Sequence, residues 1–176
     1  GSVGFALVYG LPTRPEAACE VEYRAYPCGV VRVTLSYDPV EGLGSMPEFG
    51  MMLRMDADFN KVRWYGLGPE ENHCDRREGA RLGIWRTAVA DNLARYPRPQ
   101  ECGNRTGVRW AEVTDAQGIG LRFEGDPTME FSALSWTPAE IESALHPNEL
   151  PPIHRTTVRP ALMRRGVAGD DSWGAR

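Results

Sequence analysis

The sequence predicts an all-β fold, an antiparallel β-sandwich with one short helix. Short segments alternate apolar and polar residues, glycines and prolines separate these segments at frequent intervals, and a single stretch carries the signals of a helix. With 176 residues and 41% hydrophobic composition, the chain is long enough for one domain or a piece of a larger one. No internal repeat or low-complexity linker interrupts residues 1–176, which we interpret as a single domain or domain segment.

The first predicted element is a hairpin. Residues 20–26 and 31–37 alternate in the manner of strands with one buried face, and Pro27, Cys28 and Gly29 supply the turn between them. A bridge between Cys19 and Cys28 across this hairpin is geometrically allowed, although nothing in the sequence requires it. None of the four cysteines forms a CxxC pair, so free thiols are the simpler interpretation.

Further strands are predicted along the middle and late parts of the chain. Residues 51–55, 62–65 and 84–89 are strand candidates, and a second hairpin joins residues 108–113 to 119–124. Gly118 suits a positive-φ position in the turn of this hairpin. A further β-like segment, 131–136, precedes the helix.

The helix start is explicit in the sequence. Thr137 as N-cap, Pro138 at the first position and Glu140 at the third form a capping box. The helix is predicted to end near Leu145, because a proline at 147 stops it. Residues 156–163 then form a last strand despite Pro160, which fits an edge or a bulge.

Charge and hydropathy exclude several function classes. The formal net charge is −4 and the arginines are scattered, which disfavours nucleic acid as a partner. No run of about 18 apolar residues and no secretory signal pattern occurs, so no membrane partner and a cytoplasmic location are expected. His73, Cys74 and Asp75 cannot all converge on one ion from adjacent positions, so no metal site is predicted.

Several long strings in the sequence resemble a known family. They keep the family order and cover roughly residue 43 to the end: Met46-Pro47-Glu48-Phe49-Gly50-Met51, Trp64-Tyr65-Gly66-Leu67-Gly68-Pro69-Glu70-Glu71-Asn72-His73-Cys74-Asp75-Arg76, Arg98-Pro99-Gln100-Glu101-Cys102-Gly103-Asn104-Arg105-Thr106, Phe131-Ser132-Ala133, His146-Pro147-Asn148-Glu149-Leu150 and Gly169-Asp170-Asp171-Ser172-Trp173-Gly174. Together they resemble the C-terminal small-chain region, domain 5, of glycoside hydrolase family 2 β-galactosidases. The family domain is longer, so the chain is expected to be truncated relative to it.

The resemblance implies part of a galactose-mutarotase-like supersandwich. It also implies a retaining β-galactosidase acting on terminal β-D-galactosides such as lactose, whose two catalytic glutamates, roughly 5 Å apart, lie in another domain. No catalytic residue is therefore assigned here, and Glu70, Glu71, Glu101, Asp170 and Asp171 are not candidates. The isolated chain is expected to be inactive. The implied Mg and Na ions would bind in other domains of the full enzyme.

Trp173 is the one residue that the resemblance assigns to substrate binding. In the family, the tryptophan of this string reaches the active-site mouth and stacks against the sugar or aglycone. An indole face can pack on the C–H side of a pyranose and orient it without a charge. Asp170 and Asp171 are interpreted as shaping the loop beside it. Residues 64–76, together with Asn104 and Arg105, are interpreted as structural bracing.

The sequence leaves alternative functions open. The chain could be a separate small subunit of a heteromeric β-galactosidase, whose partner is a large chain. A stand-alone aldose epimerase would need a paired general acid and base, usually His with Glu, and the three histidines lie in no matching string. Half a sandwich leaves open strand edges, so self-association into a homo-oligomer is a further hypothesis.

Overall fold

The structure, a computed structural model, describes residues 1–166. The chain divides between Met46 and Pro47 into two compact units, the N-terminal unit and the C-terminal unit. Both are built on antiparallel sheets, and the predicted all-β class with one short α-helix is confirmed, in agreement with a β-sandwich. None of the helices within residues 1–166 is long and apolar enough to cross a membrane.

The N-terminal unit is a three-stranded antiparallel sheet. Its strands are β1 (Val3–Leu11), β2 (Ala17–Ala25) and β3 (Val31–Tyr37), in the order β1-β2-β3. The predicted hairpin of β2 and β3 is confirmed, and Gly29 in its turn has a φ of +86°. Cys19 and Cys28 are free thiols. Strand β1 was not predicted.

The C-terminal unit is a seven-stranded antiparallel sheet. Its order is β4-β10-β9-β8-β6-β7, and β5 pairs with β10 beyond the end of β4. The strands are β4 (Glu48–Gly50), β5 (Leu53–Asp56), β6 (Lys61–Gly68), β7 (Arg81–Ala88), β8 (Arg105–Thr114), β9 (Gly120–Leu134) and β10 (Arg155–Arg164). Two 3-10 turns, Val89–Asn92 and Pro147–Glu149, and the helix α1 (Pro138–Ser143) lie between strands.

The predicted strand at 51–55 is wrong in its start. Residues 51 and 52 separate β4 from β5, although the Met51 N–H still bonds the carbonyl of Pro160 at 2.9 Å. A Cβ on Gly50 would lie 2.5 Å from the Cβ of Ala161, so only glycine allows β4 this close to β10.

Strand β10 confirms one half of the expectation for Pro160 and corrects the other. The strand is not an edge, because it lies between β9 and the pair β4 and β5. It does carry an irregularity, since its register against β4 shifts between Ala161 and Met163. The segments predicted separately at 119–124 and 131–136 belong largely to one long strand, β9, which begins at Gly120 and ends at Leu134.

The helix α1 is confirmed with its capping box. The Thr137 hydroxyl accepts from the Glu140 backbone N–H at 3.2 Å, and the Glu140 carboxylate accepts from the Thr137 N–H at 2.7 Å. The helix ends at Ser143, two residues before the predicted end, because Ala144 adopts an extended backbone.

Two apolar clusters hold the C-terminal unit together. The larger combines Val89 of the first 3-10 turn with side chains of β6, β8, β9 and β10, which are Val62, Trp64, Val108, Ala111, Val113, Met129, Phe131, Ala133 and Val158. The smaller joins Cys102 and Leu134 to Ile141 of α1, and so attaches the helix to the end of β9. Burial raises the pKa of the Cys102 thiol to about 12, which keeps this cysteine in its neutral form.

The smaller cluster can be tested with a pair of leucine substitutions. Leu134 is 1% exposed and Leu162 is 71% exposed. We expect Leu134→Ala to lower the free energy of unfolding by about 2–5 kcal/mol, because it leaves a cavity, and Leu162→Ala to lower it by less than about 1 kcal/mol. Urea unfolding followed by tryptophan fluorescence measures this in the C-terminal unit, since all five tryptophans lie there. Equal effects of the two substitutions would contradict the assignment of this core.

Candidate functional site

Two buried arginines of β10 form the centre of the candidate site. Arg159 and Arg164 are 5% and 2% exposed. Residues five apart on a regular strand point to opposite faces. The register shift between Ala161 and Met163 adds the equivalent of one residue, and both guanidinium groups therefore reach the same two carboxylates.

Those carboxylates belong to Glu48 and Glu101. Arg159 donates to Glu101 Oε2 at 2.7 Å and forms an ion pair with Glu48. Arg164 Nη2 lies 2.6 Å from Glu48 Oε1, and its Nε lies 3.8 Å from Glu101 Oε1. We call these four residues the buried ion-pair network. It connects β4, β10 and the loop before β8.

The charges in the buried ion-pair network are stabilised by each other. Burial alone would raise the pKa of Glu48, but the hydrogen bonds and positive charges of Arg164 and Arg159 outweigh burial and hold this pKa below its ordinary value. Arg159 likewise has a raised pKa, because Glu101 and Glu48 outweigh the effect of its burial. The carboxylate of Glu48 therefore stays ionised and is engaged by the two arginines.

A polar extension runs from Arg164 into β8 and β9. Arg164 Nη1 donates to Asn104 Oδ1 at 2.8 Å and to Ser132 Oγ at 3.0 Å. Asn104 Nδ2 in turn donates to Glu130 Oε2 at 2.8 Å. Burial raises the pKa of Glu130 despite this hydrogen bond and the nearby Arg164. One arginine thus fixes groups on two further strands.

Asn72 joins the loop after β6 to the start of β8. Its Oδ1 accepts from the backbone N–H and the hydroxyl of Thr106, at 2.9 and 2.6 Å. Its Nδ2 donates to the carbonyls of Leu67 and Glu70, at 3.4 and 3.0 Å. Every polar atom of this buried amide is used, so Asn72 braces the loop as the sequence predicts.

Arg105 is a buried cation held by carbonyl groups. It lies 4.8 Å above the ring of Trp64 and donates to the carbonyl of Pro69 at 3.1 Å and to Asn92 Oδ1 at 2.9 Å. Burial lowers the pKa of Arg105 to about 10, since no carboxylate bonds it directly. Gly103, with a φ of +74°, also bonds Asn92, through its carbonyl oxygen at 3.2 Å. The bracing role predicted for Asn104 and Arg105 fits these contacts.

Glu71 has a different set of partners. It forms an ion pair with Arg76 and accepts from the Tyr96 hydroxyl at 3.0 Å and from the Gly103 N–H at 2.6 Å. Burial would raise the pKa of Glu71, but the Gly103 N–H and Arg76 hold it below the ordinary value. Glu48, Glu71 and Glu101 are thus all engaged with arginines.

The backbone carbonyl of His73 accepts from the Arg76 N–H at 3.1 Å, and its imidazole ring differs from the polar groups described above. It is fully buried, and neither ring nitrogen has a partner among the described residues. Burial and the nearby Arg76 lower its pKa, so the ring stays neutral at pH 7. Within residues 1–166 no group of three His, Cys, Asp or Glu side chains could hold a metal ion.

Four of the six family strings supply this region. The strings at 46–51, 64–76, 98–106 and 131–133 contribute Glu48, Glu71, Glu101, Asn104 and Ser132. Arg159 and Arg164, which join three of these strings through Glu48, Glu101, Asn104 and Ser132, were not predicted. Trp173, Asp170 and Asp171, the residues assigned from the last string, lie outside the described residues.

Fold and site together define a β-rich chain in which Arg159 and Arg164 of β10 are buried and paired with the carboxylates of Glu48 and Glu101. The chain matches the family model described as the β-galactosidase small chain over residues 3–176. It is 43% identical to a β-galactosidase of Priestia megaterium over 91% of this chain and 16% of that protein, and 40% identical to one of Halalkalibacterium halodurans over 99% and 18%. It is also 32% identical to a β-galactosidase small subunit of Latilactobacillus sakei, over 98% of this chain and 57% of that subunit.

The chain belongs to the β-galactosidase small-chain family. It spans less than a fifth of the length of the two longer relatives. The residues present here therefore correspond to one part of those proteins.

The buried ion-pair network predicts a large difference between two arginines of the same strand. Arg164→Met should lower the free energy of unfolding by about 3–5 kcal/mol, because it leaves Glu48 and the polar groups of β8 and β9 with fewer buried partners. Arg155→Met removes a surface ion pair with Asp56 and should cost less than about 1 kcal/mol. Urea unfolding of both variants gives the comparison. Similar values would show that the network adds no stability beyond a surface pair.

His73 predicts a pH dependence of stability. Its pKa is lowered in the folded chain from 6.5, so on acidification the unfolded chain takes up this proton first and unfolding is favoured. The contribution of the neutral His73 ring to the free energy of unfolding is complete above about pH 6.5. Below that pH it is lost at up to about 1.4 kcal/mol per pH unit, until the pKa of the folded chain is reached. The charged groups that act on His73 are Arg76, Glu71, Glu101 and Arg164.

Unfolding between pH 7.5 and 5.5 measures this effect. His73→Phe removes the titration and should flatten the curve, while His154→Phe, at an exposed position, should leave it unchanged. A curve for His73→Phe as steep as that of the unmodified chain would exclude His73 as the source.

Proposed function

We propose that this chain completes a retaining β-galactosidase that hydrolyses terminal β-D-galactosides such as lactose, and that it supplies neither catalytic glutamate. The observation that carries the proposal is the small-chain match over nearly the whole sequence, together with the small share of the longer relatives that this sequence covers. Retaining hydrolysis needs one free carboxylate as nucleophile and a second as acid and base. Glu48, Glu71 and Glu101 are instead held by arginines.

The partner in this proposal is the remaining β-galactosidase polypeptide. The acid, the base and the Mg and Na ions of the complete enzyme are assigned to that polypeptide on the family resemblance. Whether the remainder is joined to this chain or is a separate large chain changes the assembly and not the chemistry. The named small subunit of Latilactobacillus sakei supports the separate arrangement as a second candidate.

Trp173 is the residue proposed to touch the substrate. Its indole would stack on the apolar face of the galactoside at the mouth of the site and orient the glycosidic bond. Arg164 ends β10 nine positions earlier and is fixed by the buried ion-pair network. The segment that carries Trp173 therefore departs from a braced strand.

Complementation tests the proposed function. This chain should show no turnover of a chromogenic β-galactoside alone, and activity should appear when it is mixed with, or joined to, the Priestia megaterium enzyme lacking its own matching segment. Trp173→Ala should lower kcat/KM at least about tenfold, equivalent to about 1.4 kcal/mol of transition-state binding, and Trp173→Phe should lower it less because a ring remains.

Two outcomes would contradict this proposal. Turnover by the chain alone would place catalytic groups within it. Absence of activity in both the mixed and the joined arrangements would contradict the proposal that this chain completes a β-galactosidase.

A further inference from the structure

Strand β1 has the composition of an interior strand but lies at the edge of its sheet. Its nine residues, VGFALVYGL, include no charged side chain, which is typical of a strand buried on both faces. It pairs only with β2, so its other edge presents unpaired backbone N–H and C=O groups. All of its residues except Leu11 are exposed.

The other edge strands of the described sheets carry charges. They are β3 with Arg32, β4 with Glu48, β5 with Arg54 and Asp56, and β7 with Arg81 and Arg86. Charged side chains on an edge oppose pairing with a further strand. Strand β1 is therefore the one edge among residues 1–166 without this protection.

One face of the N-terminal unit continues the apolar surface of β1. The register places Phe5 opposite Tyr23, with ring centroids 5.1 Å apart, and Leu7 opposite Val21. Val21 is in turn opposite Leu35 of β3. The centre of this face is buried at Val21, whereas its β1 side is open, since Phe5 is 60% and Leu7 44% exposed.

Strand β1 is uncharged and apolar, yet it is exposed at a sheet edge. From this we infer that β1 is the docking edge for the remaining β-galactosidase polypeptide, which adds an apolar strand alongside it. The inference rests on the proposed function and assigns the surface that the partner covers. The main-chain groups of β1 would supply hydrogen bonds, and its exposed apolar side chains would become buried.

The occupant is the rest of the same enzyme rather than a second copy of this chain. The matched segment covers 16% and 18% of two relatives and 57% of the small subunit, so all three contain further chain beside it. A strand that belongs to the same polypeptide or stable complex has a high effective concentration near β1, whereas a second copy must associate from solution.

A matched pair of lysine substitutions tests this edge. Leu7 on β1 and Leu82 on β7 are the same residue type on edge strands, 44% and 49% exposed. Binding of the chain to the Priestia megaterium enzyme lacking its matching segment is measured by sedimentation velocity. Leu7→Lys should weaken this binding at least tenfold, because it buries an unpaired charge, and Leu82→Lys should change it less than threefold.

Hydrogen exchange of the unmodified chain provides a measurement that needs no variant. The backbone amides of β1 should exchange at least tenfold more slowly in the complex than in the chain alone, while those of β7 should not change. Unchanged exchange in β1, or equal effects of the two lysines, would overturn the docking assignment even where activity is restored.

The result also separates the two proposals. Binding with protection of β1 but without β-galactosidase activity would contradict the proposed function and support the docking edge. A dimer of the chain alone that Leu7→Lys dissociates, with no binding to the large fragment, would make a second copy the occupant and overturn the inference.

Discussion

The C-terminal unit depends on the burial of two arginines of β10. Removing two guanidinium groups from water costs several kcal/mol each unless partners are held in place. Here the partners come from β4, from the loop before β8 and from β9, so the cost is offset only when these segments are assembled together. The network therefore couples the correct arrangement of the sheet to the pairing of its charges. Three family strings that are distant in sequence, at 46–51, 98–106 and 131–133, therefore share one structural role, since each supplies a partner for these two arginines.

Local patterns predicted the strands that have one buried and one exposed face. The hairpin of β2 and β3, strand β6, and the pair β8 and β9 follow from alternation and turn residues. Strand β1 was missed because a continuous apolar run has no alternation to detect. The gap between β4 and β5 and the interior position of Pro160 depend on contacts with β10 and β9, which no local pattern contains.

The candidate site was predicted only where the strings identified it. Bracing by Asn72, Asn104 and Arg105 was expected from their family strings, and the structure provides the partners. Arg159 and Arg164 were missed because their carboxylate on β4 lies more than 100 residues away, and because the bulge that aligns their side chains leaves no mark on a period-two pattern. The one usable signal was a charged residue, Arg159, between Val158 and Pro160 in the predicted strand 156–163, because a buried arginine needs a partner.

The two units differ in how far each pairs its own buried charges and protects its own sheet edges. In the C-terminal unit the buried Arg159 and Arg164 are paired with carboxylates and both sheet edges carry charged residues, so its stability requires few groups from outside. The N-terminal unit has three strands and an apolar edge exposed to water, and such a small sheet gains stability mainly by covering its apolar face. A partner that buries β1 would thus add stability chiefly to the N-terminal unit. In the proposed assembly, binding to the rest of the enzyme would complete this sheet, and the folding of residues 1–46 would be linked to assembly more strongly than the folding of the C-terminal unit.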